Sequence, residues 1–156
     1  MGSEMCIRDR NIDAFNRDGE KPVVYIGQDE NELLKLLENQ LRENTEEQES
    51  TAIITKTLAD AKALSQTLND KTVTLIQSEN QRLAPGVIIV PSYLAKGLEF
   101  DAVIIWHADK TRYKEDSERR LLYTVSSRAM HRLTIIAERA TTPLLNNVSK
   151  NLYEVR

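Results

Sequence analysis

Two stretches, Val87-Ile88-Ile89-Val90 and Val103-Ile104-Ile105-Trp106, are apolar at every position. A strand with one face in water alternates apolar and polar residues, so unbroken runs of this kind predict strands covered on both faces by helices. Val23-Val24-Tyr25-Ile26, Ala52-Ile53-Ile54-Thr55, Val73 to Ile76 and Leu133 to Ala137 are further strand candidates. Helical patterns lie between them. Asp29 with Glu32 forms a capping box ahead of Leu33, Leu34, Leu37 and Leu41, and Thr57 caps a stripe of Leu58, Ala61, Leu64 and Leu68. A helix from about Ser117 to Met130 turns Leu121, Leu122, Val125 and Ala129 inward, Pro85-Gly86 marks a turn, and the tail around Pro143, Leu144 and Leu145 is expected to end in a short helix. The acidic run Glu43 to Ser50 reads as a solvated loop. Strands alternating with helices predict an α/β sandwich with a mainly parallel sheet.

At 156 residues the chain is one domain, and no apolar run approaches the roughly 20 residues of a membrane span. The leader Met1 to Arg10 reads as a tag or cloning scar, which leaves 11–156 as the folding unit. Scarce residues exclude several chemistries. Cys6 is the one cysteine, so there is no disulfide framework and a reducing cytoplasm is the expected compartment. With only His107 and His131 besides, the chain cannot assemble a structural zinc site of the Cys/His type. The five glycines are never spaced as G-x-x-x-x-G-K-[ST] requires, so the chain has no P-loop. A net charge of -3 argues against nucleic-acid binding through bulk positive charge, so any such contact must be local.

Parallel sheets bind ligands beyond the carboxyl ends of their strands, which directs attention to the residues after Thr55, Val90 and Trp106. Lys56 lies at a strand-to-helix junction whose exposed N–H groups are already positive, an arrangement that suits an anion. In the segment from Pro91 to Asp101, Gly97 permits a backbone geometry other residues resist, and Glu99 is a carboxylate among apolar residues. Arg128 comes two helical turns after Leu121, which puts a cation near the core face, where it needs an acid or a phosphate. Trp106 belongs in the core, and His107 and His131 read as ordinary surface or edge residues.

These segments carry a family resemblance. AKGLEFDAVII closely resembles motif V, and RRLLYTVSSRAMHRLTI motif VI, of the superfamily 1 DNA helicases of the UvrD/Rep/PcrA type. The stretch Phe15 to Pro22 and the lysine at position 56 look most like the helicase IV/HelD branch. The resemblance runs from about Ile12 to Tyr153 and implies a RecA-like three-layer domain lacking its own P-loop, the C-terminal motor domain called 2A. In such enzymes ATP and magnesium are held by a first motor domain with the P-loop, and the second domain reaches across the cleft.

Carried over by position, Arg128 would be the arginine finger at the γ-phosphate, and Lys56 would stand where many relatives direct the motif IV arginine at the same phosphate. Gly97 and Glu99 would lie near the nucleotide sugar, with Glu99 accepting from a ribose hydroxyl, a role that an exposed, solvated Glu99 would remove. Ser92, Tyr93 and Lys96 would meet single-stranded DNA, although Pro91 and Tyr93 replace the threonine and histidine of UvrD-like relatives. The implied function is that of a motor-domain fragment of an ATP-dependent DNA helicase or translocase, inactive alone, whose partner is the P-loop domain of the same parent chain. The alternative is the ATPase-domain fragment of a HelD-like factor that acts on RNA polymerase. No nucleophile–base pair supports a free-standing enzyme with a small substrate.

Overall fold

The structure, a computed structural model, describes residues 21–47, 49–81, 86–109, 113, 119–140 and 154–155, with the backbone alone for Arg119. The leader, the stretch Phe15 to Glu20, Pro85 and the tail around Pro143 lie outside the described residues.

Seven strands form one sheet in which every pairing is parallel: β1 Val23–Gly27, β2 Thr51–Thr55, β3 Val73–Leu75, β4 Val87–Pro91, β5 Phe100–Ile105, β6 Ala129–Glu138 and β7 Glu154–Val155. Their spatial order is β3-β4-β2-β5-β6-β1-β7. The apolar runs occupy the centre, and successive residues serve opposite faces. Ile53, Ile89, Ile104 and Ile136 pack with Leu33 and Leu37 of α1 (Glu30–Glu46) and Ala61 and Leu64 of α2 (Leu58–Leu68). Ile54, Val90, Val103, Ile105 and Ile135 pack on the other face with Leu122, Tyr123 and Val125 of α3 (Arg119–Ser126). The result is the expected three-layer sandwich.

Local chemistry sets the helix starts. Asp29 Oδ1 accepts from the Glu32 N–H at 2.9 Å, and Thr57 Oγ1 from the Asp60 N–H at 3.1 Å. The capping box is displaced by one residue, because Glu32 reaches back to the N–H of Gln28 at 2.6 Å and not to that of the cap. Gly27 lets α1 approach, since a Cβ there would meet Leu33 Cδ2 at 2.8 Å.

Three expectations need correction. Glu43 to Ser50 is not a solvated loop throughout: α1 continues to Glu46, Asn44 is fully buried and accepts from Gln40 Nε2 at 2.9 Å, and Glu43 and Glu49 both hold Arg132 of β6. The helix predicted to reach Met130 ends at Ser126, and β6 begins at Ala129 in place of Leu133. His107 is not a surface residue. It is 6% exposed, takes a left-handed backbone with φ of 57°, and holds Asp109 through Nδ1 at 3.0 Å. His131 is exposed and Trp106 is buried, as expected.

Asp101 fastens the starts of the central strands. Its Oδ2 accepts from the N–H and the hydroxyl of Ser50 at 3.0 and 3.1 Å, and its own N–H donates to Ser50 Oγ at 3.0 Å. The Ser50 N–H bond, outweighing the opposing effect of partial burial and helped by the Ser50 hydroxyl and by His131, holds the Asp101 carboxyl below the ordinary carboxylate range. The unfolded chain therefore takes up this proton first as pH falls, and stabilisation present at neutral pH disappears as pH drops through the folded value. Asp101→Asn should therefore lower the melting temperature more at pH 7 than at pH 3, and equal losses at both would contradict the linkage. In the core, Ile53→Ala should cost about 2–5 kcal/mol in denaturant unfolding.

Candidate functional site

Because all strands run the same way, every strand start lies on one edge of the sheet and every strand end on the other. Five extended residues separate the edges by about 17 Å. The candidate residues divide between them.

Lys56, Ser92 and Tyr93 lie at the carboxyl edge. Lys56 follows the last residue of β2 and is half-buried, and Ser92 opens the 3₁₀ turn Ser92–Leu94 that follows β4. These two strand ends are adjacent, since Thr55 pairs with Pro91. Ser92 is 2% exposed, and its hydroxyl donates to the Lys56 carbonyl at 2.8 Å. That hydroxyl is therefore a stitch between two strand ends and not a surface contact, which corrects its assignment to nucleic acid. Tyr93 is 50% exposed.

From there the chain crosses one face of the sheet to the opposite edge. Leu94 and Ala95 anchor the crossing in the core, and the Leu98 N–H bonds the Ala95 carbonyl at 3.1 Å. Lys96 and Gly97 are exposed, and Gly97 takes a φ of +79°, the left-handed region where a Cβ is strained. Glu99 is also exposed and makes no hydrogen bond or ion pair among the described residues. The carboxylate expected among apolar residues is thus solvated, because the Gly97 turn carries the chain clear of the core before Phe100 re-enters it. The condition set for its ribose contact is not met.

Arg128 stands at the amino edge, between α3 and β6. The helix is closed by hydroxyls that bond back into it: Ser126 Oγ donates to the Leu122 carbonyl at 2.8 Å, and Ser127 Oγ to that of Thr124 at 2.6 Å. Arg128 therefore lies past the helix and not on its core face, and the two-turn argument for its direction fails. What the turn does is fix the side chain. Nε donates to the Thr124 carbonyl at 3.2 Å and an Nη to Ser127 Oγ at 3.1 Å, while the Arg128 carbonyl accepts from the Phe100 N–H at 2.9 Å. The guanidinium, half-buried, has no carboxylate partner among the described residues. Just beyond it the pairing of β5 with β6 slips between Phe100 and Ala102, and Met130 and His131 are left exposed.

The structure thus joins the Arg128 carbonyl to Phe100, where the crossing segment enters β5, and brings Lys56 together with Ser92. It does not bring Lys56 to Arg128, so the two cations cannot serve one phosphate within this domain. The rule that ligands bind beyond strand ends points to Lys56 and Tyr93 and not to Arg128, which stands at a strand start and has no carboxylate partner among the described residues. One residue with a polar role had no sequence signal: Asp109, 2% exposed, accepts from His107 and from the Glu138 N–H at 3.0 Å.

A family model described as the UvrD-like helicase C-terminal domain matches residues 86–136, a span that holds both the crossing segment and Arg128. No curated protein matches. Among solved structures, the C-terminal domain of a possible DNA helicase from Lactobacillus plantarum WCFS1 is 47% identical, with 96% of this chain and 94% of that one covered at a TM-score of 0.84. The methylated PRRSV nsp10 helicase shares the fold alone, at 10% identity and a TM-score of 0.53, with 92% of this chain matching 31% of that one. Neither description names the helicase IV/HelD branch. With 47% identity over nearly the whole of both chains, and with the family model lying across its two edge-forming segments, this chain belongs to the UvrD-like helicase C-terminal domains.

Proposed function

We propose that this domain is the second motor domain of an ATP-dependent DNA helicase or translocase. Its amino edge completes an ATP site whose P-loop and magnesium-binding acid belong to a first motor domain, and its carboxyl edge meets single-stranded DNA. The observation that carries the reading is Arg128: a cation fixed by two hydrogen bonds, placed at a strand start, with no acid of its own among the described residues. Such a group fits a phosphate. A planar guanidinium offers paired donors where charge spreads during phosphoryl transfer, and a γ-phosphate supplies the missing anion.

Lys56 belongs to the nucleic-acid edge in this reading, with Tyr93 and Lys96, and not to the γ-phosphate. Glu99 is left out of the nucleotide contacts because it is solvated. Magnesium has no ligand assigned in this domain. The polymerase-binding alternative would use the same cleft, and no surface of the described residues favours it.

In the full-length parent enzyme, Arg128→Ala should reduce ATP turnover by about 10³ to 10⁵ while ATP still binds, as for other transferred-charge arginines. Arg128→Lys should restore little, for want of the fork. Turnover at the wild-type rate in Arg128→Ala would refute the finger. The 156-residue chain by itself should hydrolyse ATP no faster than buffer, and robust turnover by a purified sample would show that it is not half a site.

A further inference from the structure

β3 borders the sheet on one side, paired with β4 and with no strand beyond it among the described residues. Its register fixes which backbone groups face the open side. The Ile76 N–H donates to the Ile89 carbonyl at 2.8 Å, so residues 74 and 76 turn their polar groups to β4, and residues 73, 75 and 77 turn theirs outward. Gln81 reaches back across that row: its Nε2 donates to the Leu75 carbonyl at 2.7 Å and its Oε1 accepts from the Gln77 N–H at 2.9 Å. We infer that Gln81 is a latch on this border of the sheet, and that the border it holds shut is a pairing site for a second copy of this chain.

The latch imitates a strand. A parallel neighbour opposite Ile76 would bond the carbonyl of the residue before it and the N–H of the residue after it, and those are the two groups that the Gln81 amide takes. A turn delivers the side chain there, since the Gln81 N–H bonds the Ser78 carbonyl at 3.2 Å. At the other end of the row the Val73 N–H is taken by the Asp70 carbonyl, also at 3.2 Å. The Leu75 N–H is the outward donor left open among the described residues, too little for an added strand to hold.

With Gln81 displaced, symmetry and charge both select a second copy as the occupant. A two-fold axis at Leu75 sets Leu75 against its own counterpart and Val73 against Gln77, antiparallel. All of these residues face outward, so each pair can exchange two hydrogen bonds. The same axis brings Lys71, just before the strand, towards Glu79, just after it, so opposite charges meet at both ends of the pairing. Lys71 and Glu79 are exposed, and neither forms an ion pair among the described residues. The inference is independent of the motor reading, because β3 holds none of the residues which that reading uses.

The test is sedimentation equilibrium of the 156-residue chain, with amide exchange read at Gln77. Wild type should sediment as a monomer with the Gln77 N–H protected. Gln81→Ala should enter a monomer–dimer equilibrium with a dissociation constant lower by about 10² or more, since each copy no longer gives up two hydrogen bonds to pair. Its Gln77 N–H should exchange freely when dilute and regain protection when concentrated. Adding Gln77→Pro, which deletes an outward donor at an exposed position, should return the Gln81→Ala chain to monomer. Lys71→Glu in that chain should weaken the dimer, and Glu79→Lys on top of it should restore the dimer. If Gln81→Ala does not fold, Gln81→Glu decides, because a carboxylate still accepts from Gln77 but repels the Leu75 carbonyl and opens half of the latch. Folded variants that stay monomeric would overturn the inference. So would a dimer indifferent to Gln77→Pro and to the charge exchange, which would lie on another surface, and so would a Gln77 N–H unprotected in wild type.

Discussion

The common direction of the strands is the constraint on which the rest depends. In a sheet with all pairings parallel, a residue that precedes a strand and a residue that follows one are on opposite edges whatever the intervening fold. Arg128 precedes β6, and Lys56 and Tyr93 follow β2 and β4. One short segment joins the edges. It leaves β4 at Ser92, is held down by Leu94 and Ala95, and arrives at Phe100, whose N–H bonds the Arg128 carbonyl at 2.9 Å. Both of its ends are hydrogen-bonded to other strands or turns, at Ser92 to Lys56 and at Phe100 to Arg128. The segment is packed at Ser92, Leu94, Ala95 and Phe100 and leaves the core at Gly97, so it links the two edges through fixed ends. Such a segment is a physical route by which strand binding and phosphate chemistry influence one another on the proposed reading.

Two arginines flank the start of β6 and show how differently the same residue can be used. Arg132 has an acid at each side, Glu43 at 3.0 Å and Glu49 at 3.3 Å, which ties the sheet to the end of α1. Arg128, on the turn before the strand, has only a carbonyl and a hydroxyl. Those neutral acceptors fix the direction of the guanidinium without cancelling its charge. An acid in their place would hold the side chain equally well and leave nothing for a phosphate.

The features legible in the sequence were those in which neighbouring residues decide. Val87 to Val90 and Val103 to Ile105 are strands covered on both faces because all but Val87 of these residues are buried, and Asp29 and Thr57 begin helices because their oxygens satisfy N–H groups three residues on. Where distant residues decide, the reading failed. Glu43 to Ser50 looks solvated until Arg132, far along the chain, supplies the charge that draws Glu49 in and pairs with the still exposed Glu43. Ser126 and Ser127 fit a helix by spacing, yet their hydroxyls close it. His107 is buried only because Asp109 and the left-handed turn fold it back. Arg128 and Tyr93 were recognisable as residues with a task, from a resemblance in two motifs. The edge on which each would act was not, because edge depends on strand direction, and direction is a property of the whole sheet.

On the proposed reading, a site completed by another domain also accounts for the half-exposure of its cation in this chain. While the cleft is open, Arg128 keeps part of its hydration and pays little for being unpaired. Closure around a nucleotide would remove that water and lower the local dielectric, so that the same charge acts far more strongly on a phosphate. The arginine would then contribute to the reaction only when both motor halves are together, and hydrolysis would be conditional on closure without any lid within this domain. A fully buried, prepaid ion pair could not do this, since its charge would be spent in both states. On the proposed reading, the neutral acceptors around Arg128 are therefore the feature that would make the domain responsive to a partner.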